Sequence, residues 1–236
     1  MAIGHLIPAK QCDESGWVRI GIVGFAESVV STVPAGYEAY ARIFHPAALN
    51  GVPVRWRDVA KAMNRVDHPA MQWPSIVGVL SDRFSMPGVW DEHPPMGSLP
   101  RSELAPLVDV LRKWTTTPEH CFFGVWEGYG ALSSSVPSAP TFDLPNRRYH
   151  LMEGPIEGLL EDVEVPPWNR SANLSWPADR AWLVASEIDF VSTYVGGSRT
   201  CINDLVQIDQ MEAAEVRPSD GVRWVDDLLN PAPDGA

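Results

Sequence analysis

The stretch AWLVASEIDFVSTYVGGS, residues 181–198, carries the clearest local pattern in the sequence. Its first half is short, apolar and alternating, which predicts a β-strand over Ala181–Ile188. Two sets of side chains would then lie on opposite faces, Trp182, Val184, Ser186 and Ile188 on one and Leu183, Ala185, Glu187 and Asp189 on the other. The second half leaves extended structure at Gly196-Gly197 and leads into a predicted helix over Thr200–Gln207.

The other predicted elements are arranged unevenly around this stretch. Strands are predicted over Cys121–Glu127 and Arg148–Glu153, and we expect them to share one sheet with the strand described above. Further helices are predicted earlier and later in the chain, over residues 34–44, 56–66, 102–114 and 219–229. Residues 17–33 are predicted to be extended because β-branched residues dominate them, and residues 67–100 are predicted to be mostly loop.

This order of elements predicts the fold class. Helices cluster early and late with strands between them, which differs from the strict β-α-β alternation of a doubly wound sheet. We therefore predict an α+β fold with one mainly antiparallel sheet and helices packed on one side. The length favours a single domain over residues 1–236, with a frayed tail at 230–236.

Charge restricts the classes of partner. The formal net charge is −12, and residues 150–236 hold 16 acidic against 5 basic side chains. Such a surface repels phosphate backbones and anionic lipid, so we predict neither a nucleic-acid nor a membrane partner. Acidity of this kind also serves as a solubilising surface, and it permits a protein partner with a basic face.

Three cysteines bear on the compartment and on metals. Cys12, Cys121 and Cys201 are odd in number and widely spaced, without a CxxC pair or a metal-finger pattern. We therefore expect a reducing cytoplasm and predict no metal and no cofactor. The sequence also shows no export signal and no apolar run approaching the ~20 residues of a membrane span.

Short catalytic motifs do not decide the chemistry. The sequence lacks a phosphate-binding P-loop, a dinucleotide fingerprint, a GxSxG elbow and an HExxH pair. This removes the enzyme classes that such motifs mark, and it leaves open whether the protein is an enzyme.

Two candidate sites lie in residues 187–198. Glu187 and Asp189 would point to the same side of a strand, where two carboxylates share a proton or a cation, or simply form a solvated strand end. At Gly196-Gly197-Ser198, backbone amides and a helix N-terminus would hold a small anionic ligand. Alternatively, the glycines permit a sharp turn and Ser198 caps the helix.

The other candidates come from the middle of the chain. Arg147 and Arg148 begin a strand that contains His150, and they would bind an anionic ligand or the acidic residues of the protein itself. Trp168 and Trp176 stand in a long loop with Asp179, which is typical of a binding cleft and also of loops anchored by one large side chain. With Glu127, these residues define a predicted cleft among the loops at 83–100, 128–147 and 162–180.

Several short segments resemble a family of uncharacterised actinobacterial cytosolic proteins. They are WPADRAW at 176–182, EIDF at 187–190, STYVGGS at 192–198, TPEHC at 117–121, WEGYG at 126–130 and LPNRRY at 144–149. The resemblance spans most of residues 33–200, and since that family has no assigned activity it implies no catalytic role. The segment VPAGYEAY, residues 33–40, is also similar to the opening proline-led helix of SUKH-type immunity proteins, although the Asn-Gly-Gly that follows this helix there is lacking here.

Together these observations favour a non-catalytic cytosolic binding protein, of an immunity or regulatory type, whose acidic surface and aromatic loops contact another protein. The alternative is an enzyme or small-ligand sensor with an aromatic-lined cleft between the long loops.

Overall fold

Antiparallel pairing builds one main sheet in the part of the chain that the computed structural model describes, residues 6–80 and 84–233. Its nine strands are β1 (Ile7–Pro8), β2 (Ala39–Phe44), β5 (Cys121–Trp126), β6 (Thr141–Leu144), β7 (Arg147–Gly154), β8 (Leu174–Pro177), β9 (Trp182–Ala185), β10 (Ser192–Gly197) and β11 (Ala213–Val216). The order across the sheet is β1-β7-β5-β8-β9-β10-β2-β11, with β6 also paired to β7. A separate hairpin joins β3 (Ala47–Leu49) to β4 (Val52–Val54).

Residues 181–198 contribute two neighbouring strands to this sheet, of which the first, β9, was predicted and the second, β10, was not. Strands β9 and β10 pair antiparallel, with Tyr194 opposite Ala185 and Gly197 opposite Trp182. Both faces of β9 are buried: Trp182 and Val184 belong to one hydrophobic cluster, the front core, and Leu183 and Ala185 belong to another, the back core. The strand ends at Ala185, three residues earlier than predicted, because the chain turns where Phe190 N–H donates to the Glu187 carbonyl.

Five α-helices are present among the described residues: α1 (Gly16–Gly21), α2 (Trp56–Ala62), α3 (Trp73–Val77), α4 (Arg101–Leu111) and α5 (Arg199–Val206). The two longest, α4 and α5, pack into the front core, and the short α1 places Val18 in the back core. Helices α2 and α3 surround a third cluster at one end of β2, which contains Trp56, Trp73 and Trp90. The predicted α+β class with a mainly antiparallel sheet is confirmed.

Three predicted elements are wrong. Residues 34–44 contain the strand β2 where a helix was predicted, because β2 is buried on both faces and so lacks the alternation that marks a half-exposed strand. Residues 17–33 contain α1 and a 3₁₀ turn at Val29–Ser31 where extended structure was predicted. Within residues 219–229 only a 3₁₀ turn forms, at Trp224–Asp226.

The C-terminal residues are held more firmly than the predicted frayed tail implies. Asn230 is 6% exposed, and its amide nitrogen donates to the carbonyl of Val66 and to Asp227. Residues 234–236 lie outside the described part. None of the described helices is long and apolar enough to cross a membrane.

Candidate functional site

A cavity of about 590 Å³ opens on the back face of the sheet, where β2 and β10 meet α3 and the C-terminal segment. We call it the Arg42 pocket. Its walls come from five segments: Arg42 of β2, α3 and its flanks, the loop around His93, residues 189–194, and residues 222–225. Its volume lies within the roughly 300–1,000 Å³ of small-molecule sites, and most lining side chains are apolar or aromatic, as in such sites.

Arg42 is the central polar residue of this pocket. It lies on β2 directly opposite Tyr194 of β10, and it is 2% exposed. Its guanidinium donates to the Ser192 hydroxyl at 2.9 Å, to the carbonyls of Pro69 and Met71, and to the Gln72 side-chain oxygen at 3.2 Å. It also lies 4.6 Å from the ring centroid of Phe44. All these partners are neutral.

Carboxylates near Arg42 are already engaged by other groups. Glu212 accepts from the backbone N–H groups of Trp56 and Arg57. Asp227 accepts from His68 and from the backbone of Gln72. Arg42 consequently forms no ion pair within residues 6–80 and 84–233, and burial lowers its pKa, against the weaker opposing effects of Tyr194, Asp227 and Glu212.

Two more polar residues of the pocket have unused hydrogen-bonding capacity. The side-chain nitrogen of Gln72 is buried without a hydrogen-bond partner. The Tyr194 hydroxyl forms no hydrogen bond to any described residue, and burial raises its pKa. Guanidinium groups carry five N–H donors, and four of those on Arg42 have acceptors, which leaves one N–H on Nη2.

A hydrogen bond to His93 holds the Trp73 side chain in the wall of the pocket. Trp73 Nε1 donates to His93 Nδ1 at 3.0 Å, so the neutral His93 carries its proton on Nε2 and donates to the Phe84 carbonyl. Helix α3 places Trp73 here, with Pro74 in its first turn and Gly78 ending it at φ 82°. Both nitrogens of His93 are therefore occupied, and Ser192 is bonded to Arg42. Among the described residues, the pocket thus presents binding groups without a nucleophile paired to a base.

The predicted carboxylate pair, Glu187 and Asp189, does share a cation, and the cation is Arg147. The Arg147 guanidinium donates to Glu187 Oε1 and Asp189 Oδ2, both at 2.6 Å. Burial raises the pKa of Glu187, while Arg147 lowers it. The adjacent cavity measures only about 30 Å³, close to the volume of one water molecule, which excludes an organic ligand there. Asp189 also lines the rim of the Arg42 pocket.

The predicted residues around Arg148 do not form a cleft. Arg148 is exposed and donates to Asp143 at 2.8 Å, with Glu127 at 3.9 Å. Hydrogen bonding to Asp143 raises the pKa of Arg148. His150 is buried in β7, between β5 and β6, where its Nδ1 faces the Ala139 carbonyl.

The loop residues of the predicted cleft separate from one another. Trp176 is fully buried on β8, in edge contact with Trp17. Trp168 is 51% exposed in a different cavity of about 650 Å³, with the Arg170 guanidinium over its ring. Asp179 lies in a turn; burial opposes its charge, but hydrogen bonds from Thr116 and Thr115 lower its pKa.

For Gly196-Gly197-Ser198 the sequence allowed a purely structural role, with a glycine turn and a serine cap. The cap is present, but the turn is not. Ser198 caps α5, accepting a hydrogen bond from Cys201 N–H. Gly196 and Gly197 are not a turn: both lie in β10 and are buried, with Tyr37 and Val33 packed against Gly196. Because their amides belong to a paired strand, they do not form an anion cradle.

Sequence reasoning missed the Arg42 pocket. Of the eleven predicted residues, only Asp189 lines it. A signal was present, because Arg42 is the one charged residue in the apolar run AYARIF, residues 39–44, and a charge inside a buried strand indicates a specific local requirement. Because a helix was predicted over residues 34–44, Arg42 was not recognised as a charge in a buried strand. The pocket also depends on Gln72, Tyr194 and Trp224, which come from distant parts of the chain.

Within the described residues, no group of three or more His, Cys, Asp or Glu side chains is placed to hold a metal ion. Comparisons with protein-family models, with curated proteins and with solved structures gave no match. The resemblances to an actinobacterial family and to SUKH-type proteins therefore stay predictions.

Proposed function

We propose that this protein is a non-catalytic, cytoplasmic binding protein that holds a small organic molecule in the Arg42 pocket. The observation that carries the proposal is the pocket itself, about 590 Å³ of mainly apolar space with a buried arginine in its wall. Such a combination of apolar walls and few polar groups is typical of small-molecule sites. Three free cysteines agree with a reducing cytoplasm.

The described part of the pocket contains no paired nucleophile and base, which favours binding over catalysis. The Ser192 hydroxyl accepts from the Arg42 guanidinium, and the His93 ring is held by Trp73 and Phe84. Among the two functions that the sequence left open, these contacts support a small-ligand sensor whose cleft uses the 83–100 loop but not the other two loops.

A neutral fluorescent aromatic probe, phenylnaphthylamine, tests this proposal. We expect saturable one-site binding to the wild-type protein. Trp224→Ala removes an aromatic wall of the pocket and should weaken binding about tenfold, because it removes apolar contact area. Trp114→Ala is the matched control: Trp114 is also half-buried, but it packs against the front core, away from the pocket. Non-saturable binding, or equal losses in both variants, would refute the proposal.

A second candidate is binding to a protein with a basic, partly apolar surface. The observation that favours it is a shallow groove lined by Glu27, Glu215 and Asp220 beside Leu228 and Leu229, which are 87% and 62% exposed. Exposed apolar side chains with an acidic rim are typical of protein-interaction sites.

Immobilised protein tests this candidate. We expect the wild-type protein to retain a basic host protein at low salt and release it at high salt, since surface ion pairs are screened. A Glu27→Gln, Glu215→Gln double variant should retain much less of it, whereas Glu153→Gln in β7, far from β11 in the strand order, should not differ. Retention that is unaffected by salt and by the double variant would count against this function.

A further inference from the structure

We infer that the ligand of the Arg42 pocket is an organic monoanion, a carboxylate attached to an apolar, ring-containing body. This inference rests on the proposed function, and it concerns the chemistry of the ligand.

The first argument is a missing counter-charge. Arg42 is almost fully removed from water, yet its hydrogen-bond acceptors are two carbonyls, a hydroxyl and an amide oxygen. A guanidinium in protein keeps its proton, and a buried charge without an ionic partner is costly. Glu212 and Asp227 accept from other donors, so within residues 6–80 and 84–233 no carboxylate serves as the ionic partner of Arg42. An anion in the adjacent pocket would provide it.

The second argument is the set of unused donors. Arg42 has one N–H on Nη2 without an acceptor, and the Tyr194 hydroxyl is free within the described residues. The two side chains are cross-strand neighbours, with the Arg42 guanidinium carbon 5.9 Å from the Tyr194 ring centroid. A carboxylate has two oxygens, and it would accept from both donors at once.

Charge balance favours a monoanion over a phosphate. Arg223 also lines the pocket, but it is paired with Asp226, and Asp189 at the rim is paired with Arg147. Arg42 therefore contributes the one uncompensated charge among the described lining residues. A doubly charged phosphate would leave a second negative charge in a mainly apolar cavity, close to Asp189 and Asp226.

The walls specify the rest of the ligand. Trp73, Phe190 and Trp224 line the pocket together with aliphatic side chains from residues 79–80 and 222–225. Aromatic rings pack against other rings by stacking or edge contact, and they bury large apolar areas. A ring system next to the carboxylate would therefore occupy this space better than a short polar acid.

Displacement of phenylnaphthylamine by three matched naphthalene compounds tests the inference. The compounds are naphthoate, naphthamide and naphthyl phosphate, which carry one negative charge, none and about two. We expect naphthoate to displace the probe at a concentration at least about tenfold lower than either of the others, as expected for a charge-assisted hydrogen bond to a buried guanidinium.

Variants at Gln72 localise the effect without removing the buried arginine. Gln72→Glu places a carboxylate 3.2 Å from Arg42, where the Gln72 oxygen is now, and it should abolish the advantage of naphthoate over naphthamide when the two are compared within this variant. Gln72→Met, of similar size and uncharged, should keep the advantage. Circular dichroism would verify that both variants fold.

The outcomes separate the two proposals. If phenylnaphthylamine does not bind the wild-type protein, the proposed function fails. If the probe binds but naphthoate, naphthamide and naphthyl phosphate displace it equally, or if Gln72→Glu retains the advantage of naphthoate, the pocket stands and the inference of a monoanionic ligand is overturned.

Discussion

Single buried polar residues set the chemistry of this protein, and His45 shows this as clearly as Arg42. His45 is fully buried, with Nδ1 2.6 Å from the Pro95 carbonyl and Nε2 2.8 Å from the Thr193 hydroxyl. The carbonyl can only accept, so Nδ1 carries the proton and Nε2 accepts from Thr193. Thr193 in turn bonds Ser186 at 2.6 Å. This network fixes the loop that carries His93 against β10.

The protonation of His45 should make stability depend on pH. Burial lowers its pKa to about 4, from the ordinary 6.5 that applies in the unfolded chain. The unfolded state therefore binds the proton more readily, so the contribution of His45 is complete above pH 6.5 and is lost as the pH falls toward 4. We expect this residue alone to remove about 3 kcal/mol of unfolding free energy over that range.

Urea unfolding of the wild-type protein and of His45→Asn across this range measures the effect. The difference between them should shrink as the pH falls, because the variant has no imidazole to protonate. The exposed His120 provides the control, and His120→Gln should follow the wild-type curve. A constant difference between wild type and His45→Asn would contradict the assignment.

At the scale of elements, strand β10 organises the molecule. It pairs with β9 on one side and β2 on the other, and it supplies Ser192 and Tyr194 to the Arg42 pocket. Gly196, near its end, allows Val33 and Tyr37 to pack directly on the strand. The helix α5 then begins at the Ser198 cap. Gly196 is thus a packing feature of a buried strand.

Alanine substitutions distinguish the two glycines. A Cβ at Gly196 would lie 2.4 Å from Tyr37 and 2.7 Å from Val33, so Gly196→Ala should cost about 1–3 kcal/mol of unfolding free energy. A Cβ at Gly197 would lie 3.4 Å from Cys201, an ordinary contact, and Gly197→Ala should therefore have a much smaller effect. Denaturant unfolding of the matched pair checks this, and similar losses in both variants would show that packing against Tyr37 is not the reason for the glycine.

The C-terminal segment joins distant parts of the molecule. Residues 222–225 form one wall of the Arg42 pocket, and Asp227 and Asn230 attach this segment to residues 66–72. Burial opposes the charge of Asp227, but hydrogen bonds from Asn230 and Gln72 lower its pKa, so this attachment persists at neutral pH. The pocket is thus assembled from positions 42, 72, 93, 194 and 224, which are dispersed over most of the sequence.

The sequence by itself determined the α+β class, the strands around residues 121–126, 147–154 and 182–185, and the helices at 56–62, 101–111 and 199–206. These elements have local signals: an apolar stripe of helical period, a cap or an alternating strand. The pairing of Arg147 with Glu187 and Asp189 also followed the expectation that the arginines bind the protein's own acidic residues.

Tertiary structure alone decided β2, the burial of Trp176 and the candidate site. A strand buried on both faces has no alternation of apolar and polar residues, so the sequence of β2 was compatible with a helix. Its pairing with β10 and β11 makes it a strand. Which tryptophan of a loop enters the core depends on the space that other segments leave. The unpaired charge of Arg42 is likewise a property of its surroundings, because the sequence shows an arginine but only the fold shows that Glu212 and Asp227, described carboxylates near it, already have other partners.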